Sequence, residues 1–381
     1  MRYAPKEAPE ARKRRPAVKK ISTAKIKSQA VKKNLTIGID LGDRSSRYCL
    51  LDEEGVVIGE ASTPTTKAAI AKVFGAMARC RIALEAGGHS PWVSRQLEAY
   101  GHEVIVANPR NVRLIGESTR KDDRLDARTL ARLARIDPML LSPVRHRGAE
   151  AQADLAVIRA RRVLVKARTM LINAARGLTK SFGERLRKCG AGQVGPTLAA
   201  EVSPEIRAAV VPLLAEVEAL NQRIAAYDKQ IEQLAKEHYP EVFRLKQVKG
   251  VGTLIALTFV LTVDDPNRFQ RSRDVGCYMG LRPGRRNSGE TEPQLHISKE
   301  GDRYMRTLLV QGAHYILGPF GIDCDLRRWG LKMSERGGKS AKKRAVVAVA
   351  RKLAVLLHKL WVSGEAYDPF RNSRPLVARA A

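Results

Sequence analysis

Four acidic residues in the first third of the chain occupy positions where a carboxylate is costly unless a cation binds it. Asp40 lies within an apolar run, and Glu85 ends the apolar run that begins at Ile82. A buried, unpaired carboxylate is unfavourable, so each of these acids needs a cation or a strong hydrogen-bond donor. Asp123 and Asp126 are three residues apart and would share one helix face, where like charges repel unless a positive group separates them.

Together the four acids would supply a cage of hard oxygen ligands. Mg²⁺ prefers such ligands and completes its coordination with water and substrate phosphate, and Mn²⁺ is the expected substitute. Two such ions about 4 Å apart can activate a nucleophile and stabilise the leaving oxygen of a phosphodiester displacement. Singly, each acid is equally well explained as a strand-end acid, a helix cap or a salt-bridge partner. The metal-site prediction therefore rests on all four, with the adjacent Asp43 and Asp122 interpreted as facing away.

The elements that must position these acids can be read from the alternation of apolar runs and turns. Strands are predicted at 35–42, 47–52, 56–60, 82–85 and 103–107, with a turn at Glu54-Gly55. Helices are predicted at 65–78, 90–100 and 122–136. Three antiparallel strands followed by alternating helices and strands predict a mixed sheet flanked by helices, in an α/β domain over residues 34–150.

A second candidate for chemistry is Ser288, which lies in a polar, glycine-flanked loop beside Arg282, Arg285 and Arg286. A serine next to guanidinium groups that hold a phosphate is suited to be a phosphoryl-transfer nucleophile. Lys299 follows in the same basic region. From the residues alone, an exposed loop serine is ordinary, and the purely structural interpretation is the better one.

Upstream of that loop, an apolar pair precedes Gly250-Val-Gly252, and a second apolar segment follows. This order is typical of a helix-hairpin-helix, in which glycines allow DNA to approach and backbone N–H groups bind a phosphate. A purely structural turn between helices remains the alternative. We assign Gly250 and Gly252, with Arg282, Arg285, Arg286 and Lys299, as predicted DNA-binding residues.

Residues 151–240 are predicted to form an antiparallel coiled-coil hairpin or a dimerising arm, because apolar residues recur at spacings of three and four. The predicted seam positions are Val157, Ala160, Leu164, Ala167, Leu171, Ala174 and Leu178, then Val210, Leu213, Val217, Leu220, Ile224, Tyr227, Ile231 and Leu234. A mainly helical domain is expected over 241–365, with an amphipathic helix near 341–361 and a tail over 366–381.

Charge indicates the partner. Lys and Arg number 69 against 39 Asp and Glu, a formal net charge of +30, which is typical of proteins that bind a polyanion. Residues 1–33 hold 12 Lys/Arg and 2 Asp/Glu without apolar periodicity and are predicted to be a disordered basic arm. No apolar run approaches the roughly 18 residues of a membrane span. We therefore expect nucleic acid rather than membrane as partner, and a cytoplasmic, nucleoid-associated protein with unpaired cysteines.

The first half resembles the RuvC-like, ribonuclease-H-type nuclease domain of DEDD transposases, within which it is most similar to the IS110 insertion-sequence family and the related pilin-gene invertase. The resemblance places the quartet on Asp40, Glu85, Asp123 and Asp126. The family usually has Lys-Thr-Asp-x-x-Asp-Ala at the last pair, and here Asp122 replaces the Thr. Either Asp122 or Asp123 could therefore be the metal ligand.

The second half is similar to the C-terminal domain of the same family, whose signature runs Gly-Leu-x-Pro, then Ser-Gly, then Ile-Ser-Lys-x-Gly-Asp. The family's nucleophilic serine, which joins covalently to DNA, corresponds to Ser288, and His296 stands where Gly is common. The resemblance further implies a dimer or tetramer whose acids and serine meet across subunits. It also implies a structured guide RNA that pairs with donor and target DNA.

Three other functions fit parts of the sequence. A Holliday-junction nuclease of the same fold would use water and have no need of Ser288. The segment Gly38-Ile-Asp-Leu-Gly42 also resembles the first phosphate loop of actin-like kinases and chaperone ATPases, but the second half of that fold is not found. A non-catalytic nucleic-acid scaffold would function without metal. The interpretation adopted here is a metal-dependent transposase or recombinase that cleaves and exchanges DNA strands.

Overall fold

The computed structural model describes residues 34–110, 123–286, 288–289, 291, 293, 295–338 and 340–373, with only the backbone of 123–125. This part of the chain divides into two compact units, one ending at His146 and the other beginning at Arg147. The predicted basic arm, Asp122 and the end of the predicted tail lie outside the described residues. Within them, no helix is long and apolar enough to cross a membrane.

The first unit is built on one five-stranded mixed sheet with the order β3-β2-β1-β4-β5. The strands are β1 (Thr36–Asp40), β2 (Ser45–Leu51), β3 (Val57–Pro64), β4 (Arg81–Glu85) and β5 (Glu103–Ala107). Strands β1 to β3 form an antiparallel meander, and β4 and β5 run parallel to β1. All five predicted strands are present, because runs of β-branched and apolar residues between turn residues specify strands directly.

Helices cover both faces of this sheet. Helices α1 (Lys67–Phe74) and α2 (Ser90–Ala99) pack on the face that carries Ile37, Ile39 and Leu84. Helix α3 (Asp123–Ile136) covers the opposite face. Because side chains alternate along a strand, each strand contributes to both cores, which explains why the strands read as continuous apolar runs.

The second unit begins with two long helices, α4 (Ala149–Ser181) and α5 (Pro204–His238). They run antiparallel, since contacts pair their residues in reverse order: Arg161 with Asp228 at 3.2 Å, and Arg168 with Asn221 at 2.8 Å. The connection between them contains 3-10 turns at Ala191–Gln193 and Pro196–Glu201, which cover the far end of the hairpin.

The remaining helices form a second bundle around the other end of the hairpin. They are α6 (Glu241–Leu245), α7 (Thr253–Val263), α8 (Ser272–Tyr278), α9 (Arg303–Leu317), α10 (Asp325–Ser334) and α11 (Ala341–Ser363). Helix α7 is buried along almost its whole length and shares one core with α4, α5, α9 and α11. The predicted hairpin and C-terminal domain thus lie in one compact unit.

Two sequence predictions need correction in this unit. None of the α4 seam positions from Val157 to Leu178 is fully buried, whereas Leu155, Ile158, Ile172 and Ala175 are. Helix α4 carries apolar residues on two faces, and periodicity alone cannot tell which of them meets α5. Residues 366–373, predicted to begin the tail, are instead held against α10, where the amide of Asp325 donates to the Pro369 carbonyl at 2.8 Å.

Candidate active site

Asp40 and Glu85 end neighbouring parallel strands at the same edge of the sheet. The register pairs Gly38 with Ala83 and Ile39 with Leu84, so Asp40 and Glu85 are the next residues in the two strands. Both are half-buried. Since alternate residues share a face, Asp40 projects with Gly38, and Glu85 projects with Ala83, from the face that α3 covers.

Helix α3 brings the other two acids toward this edge because it runs antiparallel to β1 and β4. Its last turns lie at the start of β4, where Arg81 donates to the Ala134 carbonyl at 3.2 Å. Its earlier turns cross β1 at Gly38, where an added Cβ would lie 2.0 Å from the carbonyl oxygen of Ala127. The first turn, which contains Asp123 and Asp126, therefore extends toward the carboxyl ends of β1 and β4.

Gly38 is the residue that permits this crossing. The same added Cβ would approach the Ala131 amide nitrogen to 2.5 Å, so any side chain here would push α3 off the strand. The small residues Ala127 and Ala131 face it and are fully buried. An ion pair of 2.6 Å between Arg128 and Glu60 of β3 also holds the helix, and the bond to Glu60 raises the pKa of Arg128.

The quartet itself is only partly within view. Asp126 is exposed at the start of α3, and Asp122 and the Asp123 side chain lie outside the described residues. In the described part of the chain, no three His, Cys, Asp or Glu side chains are grouped so as to hold a metal ion. The metal centre on these four acids therefore stays a prediction, supported by the shared sheet edge and the direction of α3.

The strand-end edge also carries a histidine that the sequence did not single out. His89 follows Glu85 by one glycine-containing loop, and its Nδ1 accepts a hydrogen bond of 3.1 Å from the indole N–H of Trp92. Because indole only donates, the proton of neutral His89 is on Nε2, which lies 3.5 Å from Asp43. The Asp43 side chain is 94% exposed, in keeping with its interpretation as a non-ligand.

Ser288 occupies the tip of a two-stranded ribbon rather than a shapeless loop. Near its base, Ser298 donates to the Arg282 carbonyl at 2.8 Å, and Gly284 donates to the His296 carbonyl at 2.9 Å. At the tip, the amide of Thr291 donates to the Ser288 carbonyl at 3.2 Å, and Gly289 has a φ of +56°. A positive φ at this position suits the tight turns of β-hairpins. The hydroxyl-bearing residue is therefore exposed on a projecting turn.

The predicted phosphate-binding cations lie along this ribbon. Arg282, Arg285 and Arg286 are exposed on the strand that leads to Ser288, and Lys299 is exposed at the base of the returning strand with a φ of +57°. The base is tightly packed, since a Cβ added to Gly280 would lie 2.1 Å from the Glu300 carbonyl oxygen. Glycine is thus required where the ribbon leaves the helical core.

Gly250 and Gly252 lie in the turn between α6 and α7, as predicted. Gly250 has a φ of +92° and contacts the side of α9, so it serves the packing of the turn. Gly252 precedes the first turn of α7, and open space lies where its side chain would be. Only Gly252 has the access that a phosphate contact would need. DNA binding by either residue stays a prediction.

Comparison with known proteins assigns the family. A family model described as Transposase, for the DEDD transposases of IS110, matches residues 37–182. A second, described as Transposase IS116/IS110/IS902 family, matches residues 243–318. The transposase for insertion sequence element IS1111A of Coxiella burnetii is 30% identical over 358 residues, which cover 91% of this chain and 95% of that protein. The chain belongs to the IS110 family of transposases.

Two further relatives define the range of the similarity. The probable family 20 transposase of Pseudomonas aeruginosa is 29% identical over 342 residues, covering 87% of this chain and 98% of that protein. The pilin gene-inverting protein of Moraxella lacunata is 24% identical over 136 residues, 35% of this chain and 38% of that protein. The five-stranded sheet with its helices fits the ribonuclease-H-like DEDD domain of an IS110-family transposase, followed by helical regions.

Membership in the DEDD transposases implies use of a divalent metal ion. The residues at the sheet edge suit such an ion, because Asp40, Glu85 and Asp126 offer only hard carboxylate oxygens. The half-burial of Asp40 and Glu85 supports the same reading, since a carboxylate removed from water gains from a cation.

Proposed function

We propose that this transposase cleaves and exchanges DNA strands to move an insertion sequence, using the carboxylate quartet and Ser288 as nucleophile. The observation that carries the first part is the convergence at one sheet edge. Adjacent parallel strands end in Asp40 and Glu85, and α3 crosses Gly38 with its acid-bearing first turn directed to the same edge. This arrangement suits phosphodiester chemistry, in which carboxylates bind metal ions that contact the reacting phosphate.

Asp40, Glu85, Asp126 and either Asp122 or Asp123 would hold the metal, with Mg²⁺ proposed and Mn²⁺ as substitute. When bound, the ions supply charge neutralisation at the scissile phosphate and a lower pKa for the attacking hydroxyl. The protein's own part is to keep the acids apart from one another on rigid elements. That rigidity comes from the register of β1 with β4 and from the close crossing at Gly38.

Ser288 would attack the scissile phosphorus, so that a Ser288 Oγ–P bond forms as the bond to the leaving DNA oxygen breaks. The serine proton must leave and the departing oxygen must gain one. Exposed Arg282, Arg285 and Arg286 would neutralise phosphate charge beside the turn. The serine needs this help because a hydroxyl is a weak nucleophile at neutral pH.

The partners we propose are DNA, a structured guide RNA and further copies of the chain. The net charge of +30 supports nucleic-acid binding, because Lys and Arg gain by releasing counterions from phosphates. The family resemblance supports a dimer or tetramer and the guide RNA. The partly exposed apolar face of α4, around Val163 and Met170, supports self-association.

The deciding experiment is to trap the covalent protein–DNA species. The wild-type protein is incubated with Mg²⁺ and a nicked recombination substrate, and the products are separated on a denaturing gel. We expect a slowly migrating adduct in wild type that is absent in Ser288→Ala, with Ser298→Ala as the control serine on the same ribbon. Normal recombination by Ser288→Ala would move the protein to the nucleases that use water.

A further inference from the structure

The second unit contains a large groove that none of the predicted site residues explains. It has a volume of about 1410 Å³ and lies between α10, α11, the base of the Ser288 ribbon and residues 366–373. Sites for small molecules are typically about 300–1,000 Å³. The groove is therefore large enough for a length of polymer rather than a single metabolite.

One side of the groove is a row of cations on a single face of α11. This row consists of Lys343, Arg344, Arg351, Lys352 and Lys359. Among the described residues, no carboxylate forms an ion pair with Lys343, Arg351 or Lys352. Cations left without protein counterions are available to bind an anion, and a row along a helix matches the repeating charge of a phosphate backbone.

The groove's two acids do not cancel this charge. Asp325 and Asp368 both lie at the end formed by residues 366–373. The Asp325 carboxylate already accepts hydrogen bonds from the Asn372 amide at 2.6 Å and from the Ser373 hydroxyl. Asp368 caps its own turn, accepting from the Phe370 amide at 3.0 Å.

The floor of the groove is apolar. Leu281, Pro283 and Ile297 come from the base of the ribbon, and Val347 and Leu356 come from α11. Lys352 lies 3.8 Å above the ring of Trp329, which also lines the groove. A cationic rim with an apolar and aromatic floor suits an unpaired strand, whose exposed bases can contact the floor while its phosphates meet the cations. A duplex turns its bases inward and would leave this floor unused.

We propose that this groove binds an unpaired DNA strand and leads it to the Ser288 turn. The groove and the turn are continuous, because the Pro283–Ile297 bridge that lines the groove is the base of the ribbon that ends in Ser288. DNA is the occupant favoured here, since the family acts by DNA transposition. The path to Ser288 rests on the function proposed above, whereas strand binding by the groove does not.

The test measures binding of the full-length protein to a fluorescent oligo-dT by anisotropy, in EDTA so that no cleavage occurs. The double variant Lys343→Gln/Lys352→Gln removes two groove cations. We expect at least tenfold weaker binding and a log–log salt slope shallower by about 1.4, at about 0.7 per lost contact on single strands. The matched control, Lys332→Gln/Lys342→Gln, removes two exposed charges from the same helices outside the groove and should bind almost as wild type.

Three further arms decide the occupant. Oligo-dT carrying 4-thiothymidine should crosslink to residues of α10 and α11, and a crosslink confined to other parts of the chain would overturn the proposal. Equal losses in the groove and control variants would also overturn it, as would tighter binding of a duplex or of oligo-U. Groove binding without a Ser288 adduct would sink only the nucleophile, and an adduct without groove binding would sink only the groove.

Discussion

At the scale of single residues, the two strand-end acids differ from their acidic neighbours in burial. Asp40 and Glu85 are half-buried at one sheet edge, whereas Asp43 is almost fully exposed three residues later. The exposed acid has its charge solvated by water, so it has no need of a metal ion. This contrast makes Asp43 a suitable control for the role of Asp40.

We expect Asp40→Asn or Glu85→Gln to lower the rate of strand cleavage by roughly a hundredfold or more, because metal contacts supply several kcal/mol to such displacements. DNA binding should be kept or strengthened, since negative charge near the phosphates is removed. EDTA should abolish cleavage by the wild type, and Asp43→Asn should cleave normally. Cleavage kinetics with Mg²⁺ provide the measurement, and full activity of Asp40→Asn would contradict the metal site.

Cys80 shows how burial fixes a protonation state. Its thiol lies 3.3 Å from Nδ1 of His102, whose Nε2 lies 3.1 Å from the Phe74 carbonyl. A carbonyl only accepts, so neutral His102 carries its proton on Nε2, and Nδ1 can accept from the thiol. Burial raises the pKa of the Cys80 thiol from 9.0 to about 12.

This shift predicts a loss of stability at high pH. The pKa is raised on folding, so the contribution is complete below pH 9 and is lost as pH rises toward 12. Between pH 8 and 10.5 the wild type should lose about 2 kcal/mol more unfolding free energy than Cys80→Ala. Urea unfolding at both pH values tests this, with Cys189→Ala as control. Parallel losses in wild type and Cys80→Ala would show that the thiol stays protonated in both states.

At the scale of elements, the crossing of α3 over β1 depends on a missing side chain. We expect Gly38→Ala to destabilise the first unit by about 2 kcal/mol or more, because its methyl would overlap the Ala127 carbonyl. Cleavage should fall as well, since α3 carries two of the acids. Thermal unfolding and cleavage rates are the measurements. Gly177→Ala in α4, where nothing lies within 4 Å, is the control, and an unchanged melting temperature for Gly38→Ala would refute the crossing.

At the scale of the whole molecule, the unburied apolar residues of α4 are expected to hold copies of the chain together. Val163 and Met170 are seven residues apart and 62% and 65% exposed. Placing Asp at both should dissociate the oligomer without unfolding the chain, because charge on an apolar seam costs several kcal/mol when desolvated. Sedimentation equilibrium tests this, with Val362→Asp on α11 as control. A wild type that is monomeric with and without nucleic acid would contradict the shared site.

Sequence alone determined the parts of this protein that depend on local pattern. The five strands, the two long helices and the glycine turn at 250–252 follow from apolar periodicity and turn residues, which act over a few neighbouring positions. The family resemblance likewise rests on short motifs around Asp40, Glu85 and Ser288. Burial, direction and pairing involve residues distant in the chain, and these the patterns could not give.

Tertiary structure decided which face of each element is used. The seam of α4 was misplaced because two of its faces are apolar, and only packing against α5 selects Leu155 and Ile158. The ribbon that raises Ser288 on a turn depends on pairing between Pro283 and Ile297, across a stretch with little periodicity. The α11 groove, too, arises only when α10 and residues 366–373 close around one helix face. Each of these features is a contact between segments that are distant in sequence, so local composition carried no signal for it.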